Sequence, residues 1–213
     1  MSTYATTIEY LSLGITNGAS IAESQDGELI HRCKNGDHSA FDELFKRYRN
    51  QVYQLAYRMS RNQQDAEDIV QNAFIRAFKY IERFDSKYPF YPWLRMIVTN
   101  ESQTYLEKRT RKHHESVESS DPDKPGLMEV TPDTKVEMAD DLISRKELRV
   151  EISKAIQKLP EQQRVCFILF EIEEMKVREI ADQLGCTEGT VKTHLHRARF
   201  SLRNLLKNVI HKP

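Results

Sequence analysis

Apolar residues recur through the first half of this chain at the spacing of an α-helix. Phe41, Leu44, Phe45, Tyr48, Val52, Leu55, Ala56 and Met59 follow one another at steps of one, three and four residues, which places them on one stripe of an amphipathic helix. Ile69, Val70, Ala73, Phe74, Ala77, Phe78 and Ile81 form a second stripe. Asn62 or Asp65 is placed to cap its start, and Asp65, Glu67 and Asp68 sit at the positive end of its dipole. Pro89 and Pro92 make 84–92 a loop, because each lacks an N–H and pushes the residue before it into an extended conformation. A further helix begins near Trp93 and turns Leu94, Ile97, Val98 and Tyr105 inward. Helical spacing returns from about 139 with Leu142, Leu148, Ile152, Ile156 and Leu159, then in three segments near 161–173, 177–184 and 188–207. No alternating strand pattern of useful length occurs, so the fold class is all-α.

Between the two helical stretches, residues 115–135 combine three prolines with acids and serines and hold few large apolar groups. Such a segment cannot bury enough surface to offset the entropy of ordering it. The expected organisation is therefore two small helical domains joined by a flexible acidic linker. Residues 1–27 are a polar extension without structure of its own, 28–114 the first domain, 115–138 the linker and 139–213 the second domain.

The 32 basic and 32 acidic residues cancel, yet their distribution is uneven. Residues 86–114 carry +4 and 176–213 carry +5, while 115–147 carry −6. Local rather than total charge makes a phosphate-binding surface, so nucleic acid stays open as a partner. Other classes are disfavoured. No run nears the roughly 18 apolar residues of a membrane span, and the start lacks a basic segment followed by an apolar one, so a cytoplasmic protein is expected. Cys33, Cys166 and Cys186 lie far apart without a Cys-x-x-Cys pair, which argues for reduced thiols rather than disulfides or zinc. His194 and His196 point different ways on a helix, and His113-His114 has no third ligand near in sequence; no metal or other cofactor is expected. A Gly-rich phosphate loop and a Ser-His-Asp order are both missing, so an enzyme is not expected.

Residues 177–197, VREIADQLGCTEGTVKTHLHR, read as a short helix, a tight turn and a second helix. Ala181 permits close approach, Gly185 suits a turn needing positive φ, and Thr187 is placed as the cap of the second helix. Val191 and Leu195 face inward. Lys192, Thr193, His194, His196, Arg197 and Arg199 are left as outward candidates, as in a helix-turn-helix that offers its second helix to a major groove. In the loop before Trp93, the rings of Phe84, Tyr88, Phe90 and Tyr91 with Lys87 among them suit stacking on unpaired bases; the competing reading has Phe84, Phe90 and Trp93 closing the core, and it is preferred for Trp93.

With GDHSAFDELFKRY, DAEDIVQNAFIRAFKYIERFD and PFYPWLRMIVTN in the first half and KLPEQQRVCFILFEIEEMKVREIADQLGCTEGTVKTHLHRAR in the second, the chain resembles bacterial RNA polymerase sigma factors of the extracytoplasmic-function group. The resemblance implies a promoter-specificity subunit that binds core polymerase through the β′ clamp and the β flap, reads promoter DNA and helps melt it. It assigns Asp65, Glu67, Asp68 and Gln71 to the clamp. It assigns the loop residues Asp85, Ser86, Lys87 and Phe90, and Asn100, Gln103, Thr104, Lys108 and Arg111 of the next helix, to the −10 element. Thr190 joins the outward residues at the −35 element, and an anti-sigma factor is an implied partner. Two readings compete with it. A helix-turn-helix regulator of duplex operators would need a receiver or ligand domain, for which 1–110 shows no strands, and a helical adaptor would bind proteins only.

Overall fold

The computed structural model describes residues 19–116 and 141–210, and every regular element among them is helical. The first half holds α1 (Ala19–Lys34), α2 (His38–Ser60), α3 (Gln63–Tyr80), a 3-10 turn (Ile81–Arg83) and α4 (Phe90–Ser116). Local chemistry sets these boundaries. The Asp37 carboxylate accepts the Ser39 N–H at 2.9 Å and the Ala40 N–H at 3.4 Å, satisfying donors that α2 cannot satisfy itself. Arg61 closes the same helix in the left-handed conformation, φ 64°. Of the two caps expected for α3, Asn62 is the one used, accepting the Asp65 N–H at 3.1 Å.

The apolar stripes converge. Phe41, Leu44, Tyr48, Val52, Leu55, Ala56 and Met59 of α2 are buried with Ile69, Val70, Ala73, Phe74 and Ala77 of α3 and Leu94 and Val98 of α4. Phe45 is partly buried against the same core, its ring 4.7 Å from that of Phe74. Phe78 departs from the inward stripe: it is 43% exposed and rests on the His38 ring at 5.5 Å. The extension also needs correction. Residues 19–27, expected to lack structure, form the first turns of α1, which buries Leu29, Ile30 and Cys33 and fixes Asp26 between Arg47 and the Tyr48 hydroxyl. Residues 1–18 and the linker from 117 to 138 lie outside the described residues.

The second half comprises α5 (Asp141–Gln157), α6 (Glu161–Phe167) running into a π-helical turn (Ile168–Ile172), α7 (Val177–Leu184) and α8 (Glu188–Ile210). Ile152, Ile156, Leu159, Val165, Leu169, Ile180, Val191, Leu195, Ala198 and Leu202 make its core. The segment near 161–173, expected as one regular helix, widens into that π-turn and ends at Glu174 with φ 54°. Gly185 adopts φ 62° at the end of α7, and the Cys186 N–H reaches back to the Ala181 carbonyl at 3.0 Å.

This core sorts the thiols. Burial pushes Cys166 up to about 12 and raises Cys33, whereas Cys186 sits partly exposed at the turn. Thiolate is the reactive form. Ellman's reagent at pH 8 should therefore modify Cys186 quickly in the native chain, with Cys33 and Cys166 following only on denaturation; three equal rates would contradict this packing.

The two halves touch directly. Arg61 donates to the Gln157 carbonyl at 2.8 Å, Tyr91 donates to Glu173 at 2.7 Å, and the Arg164 guanidinium lies on the Met59 carbonyl. The two helical halves therefore lie against each other, and from 117 to 138 the tether expected between them falls outside the described residues.

Candidate nucleic-acid interface

The turn between α7 and α8 is built from paired caps. Glu179 accepts the Lys176 N–H at 3.0 Å at the start of α7, and the Thr187 hydroxyl oxygen accepts the Thr190 N–H at 3.1 Å at the start of α8. Val191, Leu195, Ala198 and Leu202 pin one side of α8 to the core, so Lys192, Thr193, His196 and Arg197 project from the other. Lys192 makes a surface ion pair with Glu188 at 3.3 Å, a pairing weak enough to exchange for a phosphate. Thr190 is exposed, its hydroxyl 2.9 Å from that of Thr187, and the Thr193 hydroxyl donates to the Gly189 carbonyl at 2.8 Å.

Two residues expected on this outward face also lie against the protein itself. Arg199 turns its guanidinium onto Glu171, at 3.0 and 2.7 Å, and over the Phe170 ring, which ties α8 to the π-turn. His194 is half-buried with Nδ1 enclosed by protein. Arg199 therefore helps hold α8 at its angle while its side chain stays 44% exposed, and Lys192, His196 and Arg197 carry the rest of the outward polar face.

On α4, Asn100, Thr104, Lys108 and Arg111 follow at steps of four, four and three residues and are all exposed, so they share one face; Gln103 is half-buried beside it. The Thr104 hydroxyl donates to the Asn100 carbonyl at 2.9 Å. The opposite side of α4 is fixed by Leu94, Val98 and Ser102, whose hydroxyl donates to the Val98 carbonyl at 2.8 Å.

The loop leading into α4 is shaped by Asp85. Its carboxylate accepts the Lys87 N–H at 3.0 Å and its carbonyl accepts the Tyr88 N–H at 3.1 Å, an Asx turn that leaves Asp85, Ser86, Lys87 and Tyr88 exposed. The aromatic residues then separate by role. Phe84 and Phe90 are buried and pack edge to face at 5.7 Å, with Trp93 closing over both at 4.9 and 5.6 Å. Phe90, assigned to the −10 element by resemblance, is 1% exposed and belongs to the core. Tyr88 is the ring the loop presents, 68% exposed. A sequence signal for this existed: Tyr88 stands among polar loop residues, whereas Phe90 falls four residues before the core residue Leu94.

The acidic start of α3 divides as well. Asp65 accepts the Tyr105 hydroxyl and pairs with Arg109 at 3.6 Å, which fastens α3 to α4. Burial and the Asp65 hydrogen bond raise the Tyr105 phenol to about 12. Glu67, Asp68 and Gln71 remain exposed on the same helix.

A basic helix-turn-helix face and a separate polar face beside an aromatic-bearing loop thus lie on one chain whose described elements are all helical. Residues 44–112 match the family model "Sigma-70 region 2" and residues 149–202 match "Sigma-70, region 4". The chain is 34% identical over 84% of its length to the ECF RNA polymerase sigma factor SigW of Bacillus subtilis, covering 96% of that protein. It belongs to the sigma-70 family of RNA polymerase sigma factors, in the ECF group.

The ECF sigma-E factor of Escherichia coli is 30% identical over 87% of the chain, with 96% of that protein covered. Among solved structures, the sigma factor RpoE of Bartonella quintana in complex with the anti-sigma factor NepR matches with a TM-score of 0.56 at 25% identity, covering 78% of this chain and 96% of that one. CnrH in complex with the cytosolic domain of CnrY has a TM-score of 0.52 at 23% identity over 86% and 97% of the two chains, a likeness of fold. Both the region 2 and the region 4 models match in order on one chain, so the operator-binding regulator is not favoured. Among the described residues, no helix is long and apolar enough to cross a membrane, and no group of three or more His, Cys, Asp or Glu could hold a metal.

Proposed function

We propose that this sigma factor docks on core polymerase through Glu67, Asp68 and Gln71 of α3, reads −35 duplex DNA with Lys192, His196 and Arg197 of α8, and reads the melted −10 element with α4 and the 85–88 loop. It works without covalent chemistry, in the cytoplasm, and is held in reserve by an anti-sigma factor. The observation that carries the reading is the pairing of two DNA-suited surfaces on separately built helices. One is basic and cap-positioned for a groove; the other places an exposed ring next to Lys87 for unpaired bases. Asp65 enters as a positioning residue that orients α3 through Tyr105 and Arg109, leaving its exposed neighbours to meet a basic partner. Transcription reconstituted with core polymerase on a promoter library tests the whole: initiation that ignores the added chain refutes it.

Melting is favoured when a captured base offsets part of the unstacking cost, and stacking on an aromatic ring contributes about 1–3 kcal/mol per base. Tyr88→Ala should lower open-complex formation on a duplex promoter by about tenfold. A promoter pre-melted across the −10 region should recover part of the loss, and Tyr88→Phe should retain activity. Permanganate footprinting of unpaired thymines reads the outcome; full melting by Tyr88→Ala would remove Tyr88 from the base-capturing role.

A further inference from the structure

The loop that carries Tyr88 is a short span between two buried rings. At its far end Phe90 opens α4 from within the core. At its near end Phe84 packs its ring against Phe90 and Trp93, and its N–H donates to the Ile81 carbonyl at 3.1 Å. The Phe84 carbonyl is taken by a residue 50 positions earlier, Lys34 of α1, which donates to it through Nζ. Beyond that point the bonding is local: the Asp85 carboxylate accepts the Lys87 N–H and the Asp85 carbonyl accepts the Tyr88 N–H. An exposed turn with local bonds alone takes its direction from the peptide that leads into it, and the Phe84 carbonyl lies in that peptide plane. Lys34 stands on a fully bonded corner. The Asn35 N–H donates to the His31 and Arg32 carbonyls at 3.2 and 3.1 Å, the Gly36 N–H donates to the Cys33 carbonyl at 3.0 Å with φ 85° at Gly36, and Arg32 pairs with Asp37 at 2.8 Å. Leu29, Ile30 and Cys33 bury the same end of α1, and Lys34 itself is half-buried.

We propose that Lys34 is a positioning residue for promoter melting: by holding the Phe84 carbonyl it orients the peptide from which the 85–88 turn departs, so that Tyr88 is set before a base arrives. The inference rests on the base-capturing role given to Tyr88 above. A lysine suits the task because its long stem reaches from α1 to the loop and its ammonium makes a charge-assisted hydrogen bond, stronger than one between neutral groups. Phe84 is then clamped twice, by its ring on the α4 side and by its carbonyl on the α1 side. A loop ordered in advance gives up less freedom when it binds, which strengthens capture without adding any contact to DNA. The amino-terminal helix, which carries none of the residues assigned to the −10 element, thereby acts on that element through the backbone.

If the loop without its tether holds the capture geometry in about one molecule in five, apparent capture weakens about fivefold. The test uses holoenzyme reconstituted from the full chain and core polymerase, on a promoter selected from the library, with permanganate reactivity of the −10 thymines as the measure of melting. Lys34→Met keeps an unbranched apolar stem and removes the donor; it should lower melting about fivefold. Lys34→Arg restores a charged donor and should recover most of that loss. In a Tyr88→Ala background Lys34→Met should have no further effect, because no ring remains to be positioned. Circular dichroism and −35 duplex binding of Lys34→Met should match the wild type, since Leu29, Ile30 and Cys33 still hold α1. Wild-type melting by Lys34→Met, with Tyr88→Ala still impaired, overturns the role of Lys34 and leaves that of Tyr88 standing. Loss of helicity in Lys34→Met makes the residue structural and overturns it too. An undiminished loss in the Tyr88→Ala background, with the salt slope of promoter binding reduced by about 1, makes Lys34 a phosphate contact instead. Full melting by Tyr88→Ala refutes the base-capturing reading itself, and the positioning role falls with it.

Discussion

Replacing Lys192 and Arg197 together by alanine should weaken binding to a −35 duplex by about tenfold to a hundredfold and lower the salt dependence of what remains. Both side chains project from the side of α8 opposite Val191 and Leu195, and neither supports the core, so the folded state should persist. A bidentate contact from Arg197 to a base edge contributes about 1–3 kcal/mol, and each lost phosphate contact reduces the slope of log affinity against log salt by about 1. Anisotropy titrations at several salt concentrations separate the two residues. The residue that reads bases flattens discrimination between sequences, whereas the phosphate contact weakens all duplexes alike. Arg199→Ala supplies the contrast. It strands the Glu171 carboxylate, whose side chain is 6% exposed, so it should lower the melting temperature more than it lowers duplex affinity at a temperature where the domain is folded. Wild-type duplex binding by the double variant would remove α8 as the reading helix.

That contrast shows where sequence reasoning stops. Helices were legible because burial imposes a period, and Leu44, Leu55, Ile69 and Leu94 obey it. The turn between α7 and α8 was legible because Gly185 and Thr187 are chosen by backbone geometry and not by distant neighbours. The contacts of Arg199, Asp65 and Phe90 could not be read from periodicity. Each sits at a position compatible with solvent, and its partner, Glu171, Tyr105 or Phe84, comes from another element. A charge on a helix looks the same in sequence whether it meets DNA or a buried carboxylate. The contact between halves was the least accessible, since Arg164 reaches Met59 across more than a hundred positions and does so through a backbone carbonyl, which leaves no complementary side chain to notice. Of the expected −10 residues, Asp85, Ser86, Lys87, Asn100, Thr104, Lys108 and Arg111 do lie on an exposed surface, because loop chemistry and helical spacing act locally.

The acidic amino-terminal stretch hides a comparable case, and it leads to the largest expected loss of stability. Asp26 looks in sequence like one more polar residue of an unstructured extension, yet it is 2% exposed and takes hydrogen bonds from Arg47 and from the Tyr48 hydroxyl. Leu29, Ile30 and Cys33 follow it into the core, so α1 is anchored at one end by charge and along its length by apolar contact. Removing the carboxylate leaves the Tyr48 hydroxyl without this acceptor in a buried place and takes a close counter-charge from Arg47. Loss of one member of a buried pair costs about 3–5 kcal/mol. Asp26→Ala should therefore lower the urea midpoint strongly. Hydrogen exchange should accelerate first in α1 and only later in α2, because Leu44, Val52 and Leu55 are secured by α3 and α4. Asp26→Asn keeps an acceptor for Tyr48 while discarding the charge, so its cost should fall between wild type and alanine. If both substitutions shift stability by less than about 0.5 kcal/mol, as ordinary surface changes do, α1 is not held by this pair.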